Sequence, residues 1–278
     1  MDIRLIALDL DGTLLTTDKT LTKHTERVLS RAAKKGVYIV PATGRSLTGI
    51  SPKIRELPFV RYAITVNGAA VWDMGRQEPI VRQAFSPEQA VELWGFIAKY
   101  RTMRDACIDG VARMEPEYYN KAEIFMPDEP GRMLIRSTRK PTERLGELVA
   151  DRNVTVEKFN LFFREEAEEE RQQARRDLAQ FEGLSVTSSL GNNLEINHVD
   201  ATKGRGLLSL AAHLGLEMGQ VMAFGDGEND VSMLRAAGVG VAMENAPKEV
   251  KAAADLVTLS NDEEGVAYCI EKYVLTDR

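Results

Sequence analysis

Residues 3–15 read IRLIALDLDGTLL, an apolar run that passes directly into acidic residues and a glycine. Such a run predicts a buried strand that ends in a loop at Asp9. Asp11 lies two residues further on, and Gly12 permits a sharp turn after it. Two carboxylates in such a loop can face one cleft, where one attacks as a nucleophile and the other transfers protons. Alone, this spacing is common in metal-binding loops and in turns.

Strand and helix patterns alternate on both sides of a long middle segment. Residues 22–35 predict a helix with a threonine cap, and residues 37–40 and 62–66 predict further strands. The alternation resumes near residue 193, with predicted strands at 194–196, 221–224, 239–243 and 256–259. This order predicts an α/β fold, a doubly wound parallel sheet with helices on both faces. In such sheets, ligands bind beyond the carboxyl ends of the strands.

The middle segment has a different organisation. Residues 86–89, SPEQ, predict a capping box that opens a helix to about Arg104. Short strand-like pieces follow near 106–113 and 133–137, then a strand at 154–163. The acidic run at 165–170 predicts a solvated helix face rather than a binding tract, because arginines follow at helical spacing.

The spacing of the candidate motifs places this segment in an inserted domain. The interval from Thr43 to Lys203 is far longer than a crossover between parallel strands requires. We therefore predict that residues 83–190 form a second domain inserted into the doubly wound core. Residues 1–82 and 191–278 would form that core.

Composition narrows the range of partners. The net charge is −6, so no global basic field favours nucleic acid or an acidic membrane, and an anionic substrate must be neutralised locally. The start resembles no signal peptide, and no apolar run is long enough to span a bilayer. Cys107 and Cys269 have no metal-ligand spacing and are typical of a reducing compartment. We expect a cytoplasmic protein.

Two further pieces lie at predicted element ends. Thr43 and Gly44 follow a strand, where a hydroxyl next to glycine can bind a phosphate oxygen or can form a turn. Lys203 begins a predicted helix, where the helix dipole disfavours a cation. Such local conflicts concentrate at functional sites, although an exposed lysine is the simpler interpretation.

The segment GDGEND at residues 225–230 crowds acidic and amide groups after an apolar strand. Carboxylates that lie together repel one another unless a cation joins them. Oxygen ligands select a hard metal such as Mg²⁺. A calcium loop is the alternative, but the segment lacks the ligand spacing and final Glu of an EF-hand.

In this order, the pieces resemble the haloacid dehalogenase superfamily of phosphohydrolases. The segments DLDGTLL (9–15), ATGR (42–45), VNGA (66–69), Lys203 and GDGENDVSML (225–234) are similar to the Cof-type branch, which has a large C2-type α/β cap. The resemblance covers residues 1–82 and 191–278. It implies a Mg²⁺-dependent phosphomonoester hydrolase that forms an aspartyl-phosphate. The expected substrate is a small phosphorylated metabolite, in the first place a sugar phosphate.

The resemblance also implies residue roles. Asp9 would be the nucleophile and Asp11 the general acid and base. Asp9, the backbone carbonyl of Asp11, and Asp226 would bind Mg²⁺, while Asp230 would orient the metal loop and Lys203. The residues expected to bind or approach phosphate are Thr43, Gly44, Asn67, Gly68, Lys203 and Asn229. His198 has no counterpart in the family pattern and is expected to be structural.

Two alternatives to hydrolysis remain. A phosphomutase or phosphotransferase shares Asp9 and Asp11 but passes the phosphoryl group to a hydroxyl of a sugar. A non-catalytic phosphometabolite-binding protein is disfavoured because every motif residue is intact.

Overall fold

The computed structural model of the chain describes residues 1–188 and 190–276. The chain forms two compact units. The first unit comprises residues 1–44, residues 52–81 and the chain from 202 onward, and the second comprises Arg45–Ser51 and Arg82–Ala201. Across the described residues, no helix is both long enough and apolar enough to cross a membrane.

The first part of the chain follows the predicted alternation. Its elements are β1 (Leu5–Leu8), α1 (Lys23–Lys34), β2 (Tyr38–Pro41), α2 (Pro52–Arg55), β3 (Tyr62–Thr65), β4 (Ala70–Asp73) and β5 (Glu78–Arg82). The predicted cap of α1 is confirmed, since the side chain of Thr22 accepts a hydrogen bond from the backbone N–H of Thr25. A short 3₁₀ turn, Val66–Gly68, follows β3.

The inserted part supplies most of the second unit. Its elements are α3 (Pro87–Ile97), β6 (Met103–Ile108), β7 (Val111–Met114), α4 (Pro116–Asn120), α5 (Glu129–Thr138), β8 (Lys140–Pro141), α6 (Leu145–Val149), β9 (Val156–Phe162), α7 (Glu168–Leu178), β10 (Leu184–Thr187) and β11 (Asn193–His198). The capping box at Ser86 is present, but α3 ends at Ile97, well before Arg104.

The strand prediction at residues 133–137 is wrong, because this stretch lies inside α5. The turn-like residues before it form the start of the helix. Asp128 caps the helix by accepting a hydrogen bond from Gly131 N, and a proline occupies the first turn.

The returning chain completes the first unit. Its elements are α8 (Lys203–His213), β12 (Val221–Gly225), α9 (Val231–Ala236), β13 (Val239–Ala242), α10 (Lys248–Lys251), β14 (Leu256–Val257) and α11 (Gly265–Tyr273). The sequence patterns had not indicated α11. A 3₁₀ turn, Glu228–Asp230, joins β12 to α9.

The predicted parallel sheet is confirmed in the first unit. Its strand order is β14-β13-β12-β1-β2, and every neighbouring pair is parallel. Leu5 and Ala7 pack with residues of α8 and α9 on one face, and the alternate residues of β1 are buried as well. Leu8 is in register with Phe224 on one side and Pro41 on the other. The chain segments after these three strands therefore begin at the same edge.

The strand predicted at residues 62–66 is present, but it belongs to a separate sheet of order β3-β4-β5. Its pairing with β4 is antiparallel, and a single bridge between Ala42 and Ile64 connects it to the end of β2. Because of this bridge, the turn Val66–Gly68 lies at the same edge as the chain that follows β2.

The second unit contains a six-stranded sheet of order β10-β11-β9-β6-β7-β8. Its pairings are antiparallel except for β7 with β8. The strand expected at residues 194–196 is therefore not part of the core. It pairs with β9 and β10, and the boundary lies after Ala201 rather than at residue 190.

The short segment Arg45–Ser51 is also assigned to the second unit, whereas the sequence had placed it in the core. Within that unit, the backbone N–H of Thr48 donates to the carbonyl of Gly110 at 3.5 Å.

Candidate active site

A buried lysine joins two of the predicted acidic residues. Lys203 Nζ lies 2.6 Å from Asp9 Oδ1 and 2.5 Å from Asp230 Oδ1. The Lys203 side chain is 0% exposed, and Asp9 and Asp230 are buried. Three segments that are distant in sequence therefore meet at one ammonium group. Pairing with two carboxylates also resolves the conflict between a cation and the N-terminus of α8.

The start of α8 is held by two side chains, and this fixes the backbone that carries Lys203. Thr202 Oγ1 accepts from Arg205 N at 3.2 Å, and Ser232 Oγ accepts from Gly204 N at 3.0 Å. A Cβ on Gly204 would lie 2.4 Å from the carbonyl oxygen of Ser232. Only glycine permits this approach of α8 to α9.

Three carboxylates form an acidic group at the same edge. Among the described residues, Asp9, Asp226 and Asp230 each place an oxygen within 4.8 Å of the others. Asp226 Oδ1 accepts from Thr13 Oγ1 at 2.7 Å. Asp230 Oδ2 accepts from the backbone N–H groups of Asp226 and Gly227 at 3.0 and 2.9 Å. The backbone of the Asp226 loop is thus set by Asp230.

The ionisation of this group reflects burial and mutual repulsion. Burial raises the pKa of Asp9 well above its usual value; Lys203 opposes this shift, and the neighbouring carboxylates add to it. Burial also raises the pKa of Asp226 to about 6. Burial lowers the pKa of Lys203, but the attraction of Asp230 and Asp9 outweighs it and leaves the pKa raised. An all-oxygen group with more carboxylates than cations fits a hard divalent metal ion.

Asp11 lies beside this group on a loop that packs against Asp226. Gly12 has a φ of +87°, and a Cβ there would lie 2.3 Å from Asp226 Oδ2. Glycine is required for both reasons. The Asp11 carboxylate is half-exposed, and Lys19 Nζ lies 3.0 Å from its Oδ1. It is therefore placed differently from Asp9, which is buried and bound to Lys203.

The chain after β2, the turn after β3 and the turn after β12 bring four more predicted residues to this edge. Asn67 N donates to the carbonyl of Thr43 at 3.0 Å, and Asn229 Nδ2 donates to Asn67 Oδ1 at 3.0 Å. Thr43 and Asn67 are buried, and Gly44 directly follows Thr43. These contacts connect the ATGR, VNGA and GDGEND segments.

The turn after β3 is conformationally strained. Val66 and Asn67 have φ values of 52° and 58°, and a β-branched residue at such a value is an outlier. A Cβ on Gly68 would lie 2.1 Å from the carbonyl oxygen of Thr202, the residue before Lys203. Strain of this kind is concentrated at functional sites.

Comparison with known proteins agrees with this geometry. A model of the family described as haloacid dehalogenase-like hydrolase matches residues 6–270. The chain belongs to this family. A solved haloacid dehalogenase-like hydrolase from B. subtilis superposes with a TM-score of 0.85 at 27% identity, covering 98% of this chain and 100% of that one.

Several curated relatives of this chain are named phosphatases. A 5-amino-6-(5-phospho-D-ribitylamino)uracil phosphatase of Bacillus subtilis is 30% identical and covers 99% of this chain and 97% of its own. A pyridoxal phosphate phosphatase of Escherichia coli is 30% identical, and the match covers 99% of this chain and 100% of that phosphatase. The resemblance read from the motifs is confirmed: the protein is an enzyme, a phosphatase of the Cof-type branch with a haloacid dehalogenase core and a cap.

Sequence reasoning missed two residues of this phosphatase site. Thr13 binds Asp226, and Ser232 binds the start of α8, yet both lie inside the quoted motifs. Their hydroxyl groups beside acidic or apolar motif residues were the available signal, but their partners are distant in sequence. His198 accepts at Nδ1 from Asp200 N at 3.2 Å, within the second unit.

The second unit of the hydrolase has its own buried polar groups. Asp105, Asn160 and Glu195 are aligned in register across β6, β9 and β11. Arg139 Nε donates to Asp105 Oδ2 at 2.8 Å, and Lys158 Nζ lies 3.5 Å from Glu195 Oε1. A buried sheet face with this much hydrogen-bonding capacity is unusual for a surface that serves packing alone.

Proposed function

We propose that the enzyme is a Mg²⁺-dependent phosphomonoester hydrolase that acts on a small phosphorylated metabolite through an aspartyl-phosphate. The observation that carries the proposal is the bond from Lys203 to Asp9 within a group of three carboxylates. This arrangement supplies a buried carboxylate and a fixed cation beside it.

Asp9 is the proposed nucleophile. Its carboxylate oxygen forms a bond to phosphorus while the ester oxygen departs, and Asp11 gives that oxygen a proton. Asp11 then takes a proton from water, whose oxygen attacks phosphorus and displaces Asp9. The half-exposed position of Asp11 supports this role, because a proton-transfer group must reach both the leaving oxygen and water.

The proposed metal ligands are the side chains of Asp9 and Asp226 and the backbone carbonyl of Asp11. A bound Mg²⁺ would offset the repulsion between Asp9 and a phosphate dianion and stabilise charge on the transferring group. Asp230 is proposed to support the loop that carries Asp226 rather than to bind the metal. Its oxygens already accept from Lys203 and from two backbone N–H groups, so it holds the Asp226 loop in place.

Phosphate recognition is proposed for a set of groups at the same edge. Lys203 would neutralise phosphate oxygens as well as Asp9, and Asn229 and Asn67 are already joined by a hydrogen bond. A hydroxyl, an amide and backbone N–H groups can each donate to phosphate oxygens. The complete proposed set is Thr43, Gly44, Asn67, Lys203 and Asn229.

The second unit is proposed as the cap that selects the non-phosphate part of the substrate. Two relatives are named for phosphate esters of small metabolites, one with a ribityl chain and one a pyridoxal. The ribityl chain in the first of these names is rich in hydroxyl groups, so a sugar phosphate is the first expected substrate. A cytoplasmic location is part of the proposal, in keeping with two free buried cysteines.

The test is a panel of phosphorylated metabolites assayed for phosphate release with Mg²⁺, with Ca²⁺ and with excess chelator. We expect hydrolysis of at least one sugar phosphate with Mg²⁺, less with Ca²⁺ and none with chelator, because Ca²⁺ prefers more ligands and looser geometry. Full activity in chelator would overturn the metal assignment. Transfer of phosphate to a sugar hydroxyl without release would identify a mutase or phosphotransferase, and binding without turnover would identify a sensor.

A further inference from the structure

The loop that carries Asp11 is held by a side chain from a distant part of the chain. Asn245 Nδ2 donates to the carbonyl of Gly12 at 2.8 Å, and Asn245 Oδ1 accepts from Asn261 N at 3.1 Å. One amide therefore binds the peptide between Gly12 and Thr13 and the backbone of the loop that carries Asn261 at the same time.

Further hydrogen bonds join the loop that carries Asp11 to the loop that carries Asn261. Asn261 Nδ2 donates to the carbonyl of Leu15 at 3.0 Å. The carboxylate of Asp262 accepts from Thr17 N at 2.8 Å and from Thr17 Oγ1 at 2.7 Å. The backbone of the Asp11 loop is thus fixed at three successive places, and Asn261 is buried where it makes its contact.

The segment that carries Asn245 follows β13 and is anchored to the core sheet. Met243 N donates to the carbonyl of Gly225 at 3.1 Å, directly before Asp226. The segment that carries Asn261 follows β14, and there Thr258 Oγ1 donates to the carbonyl of Gly265 at 2.7 Å. Asn245 therefore connects the peptide between Gly12 and Thr13 to a segment that is bonded to the residue before Asp226.

We propose that Asn245 is a positioning residue for the phosphatase reaction. By holding the Gly12 carbonyl, it fixes the carbonyl and carboxylate of Asp11 relative to Asp9 and Asp226. The inference rests on the proposed function, in which the Asp11 carbonyl binds the metal and its carboxylate transfers protons. A neutral amide offers a donor and an acceptor together, whereas an ionised carboxylate only accepts.

The test compares Asn245→Asp with the wild type. The variant has nearly the same shape and keeps the acceptor for Asn261, but it loses the donor to Gly12. We expect kcat for p-nitrophenyl phosphate to fall by about 10- to 100-fold with little change in KM, since small misplacements of reacting groups are costly. We also expect the Kd for Mg²⁺, measured by calorimetry, to rise by about 3- to 10-fold, as for the loss of one ordering hydrogen bond.

Two further variants and two further readouts separate positioning from folding. Asn153→Asp is the control, because Asn153 is exposed in the second unit and binds Asp151; it should match the wild type. Thr17→Val removes only one hydroxyl contact and should lower kcat by a smaller factor, about 2- to 5-fold. The midpoint of thermal unfolding should stay close to that of the wild type for all variants. So should the fraction of enzyme molecules that is trapped as phosphoenzyme by acid quench.

An Asn245→Asp enzyme with wild-type kcat and wild-type Mg²⁺ affinity would overturn the inference. So would a loss of activity that is fully explained by fewer phosphorylated sites or a lower midpoint. A wild-type protein that hydrolyses no phosphate ester would contradict the proposed function alone, and the calorimetric comparison would then decide the role of Asn245.

Discussion

Both units of this phosphatase bury charged side chains, but the charges are balanced differently. In the first unit, Asp9 and Asp230 contact one lysine, Lys203, and Asp226 completes a group of three carboxylates on loops that follow strands. In the second unit, two ion pairs lie within strands or beside them, and a further buried carboxylate, Glu157, accepts from Gly110 N and Cys107 Sγ. Arg139 faces Asp105, and Lys158 faces Glu195.

The difference separates a site for chemistry from a polar surface. Paired charges compensate each other and need no further ion, although their burial contributes little net stability. A buried excess of carboxylates is stable only if protons or a metal ion supply the missing positive charge. Burial raises the pKa of Asp9 and that of Asp226, and the neighbouring carboxylates add to both shifts.

The largest expected effect tests whether turnover belongs to the first unit alone. Asp9→Asn should lower kcat for every substrate by more than about 10⁴-fold, because an amide cannot form the acyl-phosphate. Asp105→Asn, an equally buried carboxylate of the second unit, should retain turnover of p-nitrophenyl phosphate. Rapid mixing with acid quench measures both variants. Phosphoenzyme trapped on Asp9→Asn would remove Asp9 from its role.

The next effect concerns stability. Lys203→Met leaves two buried carboxylates without their cation and should lower the free energy of unfolding of the first unit by about 3–5 kcal/mol. Lys158→Met leaves one buried carboxylate, that of Glu195, without its cation. It should therefore lower the free energy of unfolding of the second unit by a smaller amount. The two tryptophans lie in different units, so urea unfolding can be followed by Trp72 or Trp94 fluorescence after replacing the other with Phe. Equal losses would contradict the contrast between the two clusters.

The smallest effect depends on pH. The pKa of Asp226 is raised from 3.8 to about 6 on folding, so the folded protein binds more protons between these values and loses stability as pH rises from about 4 to 6. Without metal at pH 7, Asp226→Asn should therefore be more stable than the wild type by about 2–3 kcal/mol. The gain should be absent below pH 4.

Urea unfolding in chelator, repeated from pH 3.5 to 8, measures this difference. Added Mg²⁺ should stabilise the wild type and leave Asp226→Asn nearly unchanged. A gain of the same size at every pH would show that ionisation of Asp226 is not its cause.

Much of the first unit could be predicted from local patterns. Apolar runs that end in acidic or glycine-containing segments identified β1, β2 and β12 and the residues that follow them, since side-chain alternation and turn residues are local properties. The cap of α1 and the capping box of α3 were predictable for the same reason. The strand at residues 194–196 was placed in the wrong sheet because several partners were available to it. The strand prediction at residues 133–137 was wrong because a short apolar run does not distinguish a strand from a helix.

The sequence by itself determined the α/β class, the order of the motifs and the chemical types of the site residues. Only the tertiary structure decided which of them meet. Lys203 reaches Asp9 across 194 positions of the chain, β11 joins the second sheet rather than the core, and Asn245 reaches Gly12. Local patterns specify how a segment folds and which face it buries. The partner of that face is chosen by burial and hydrogen bonding summed over distant segments, and no short window of sequence contains that sum.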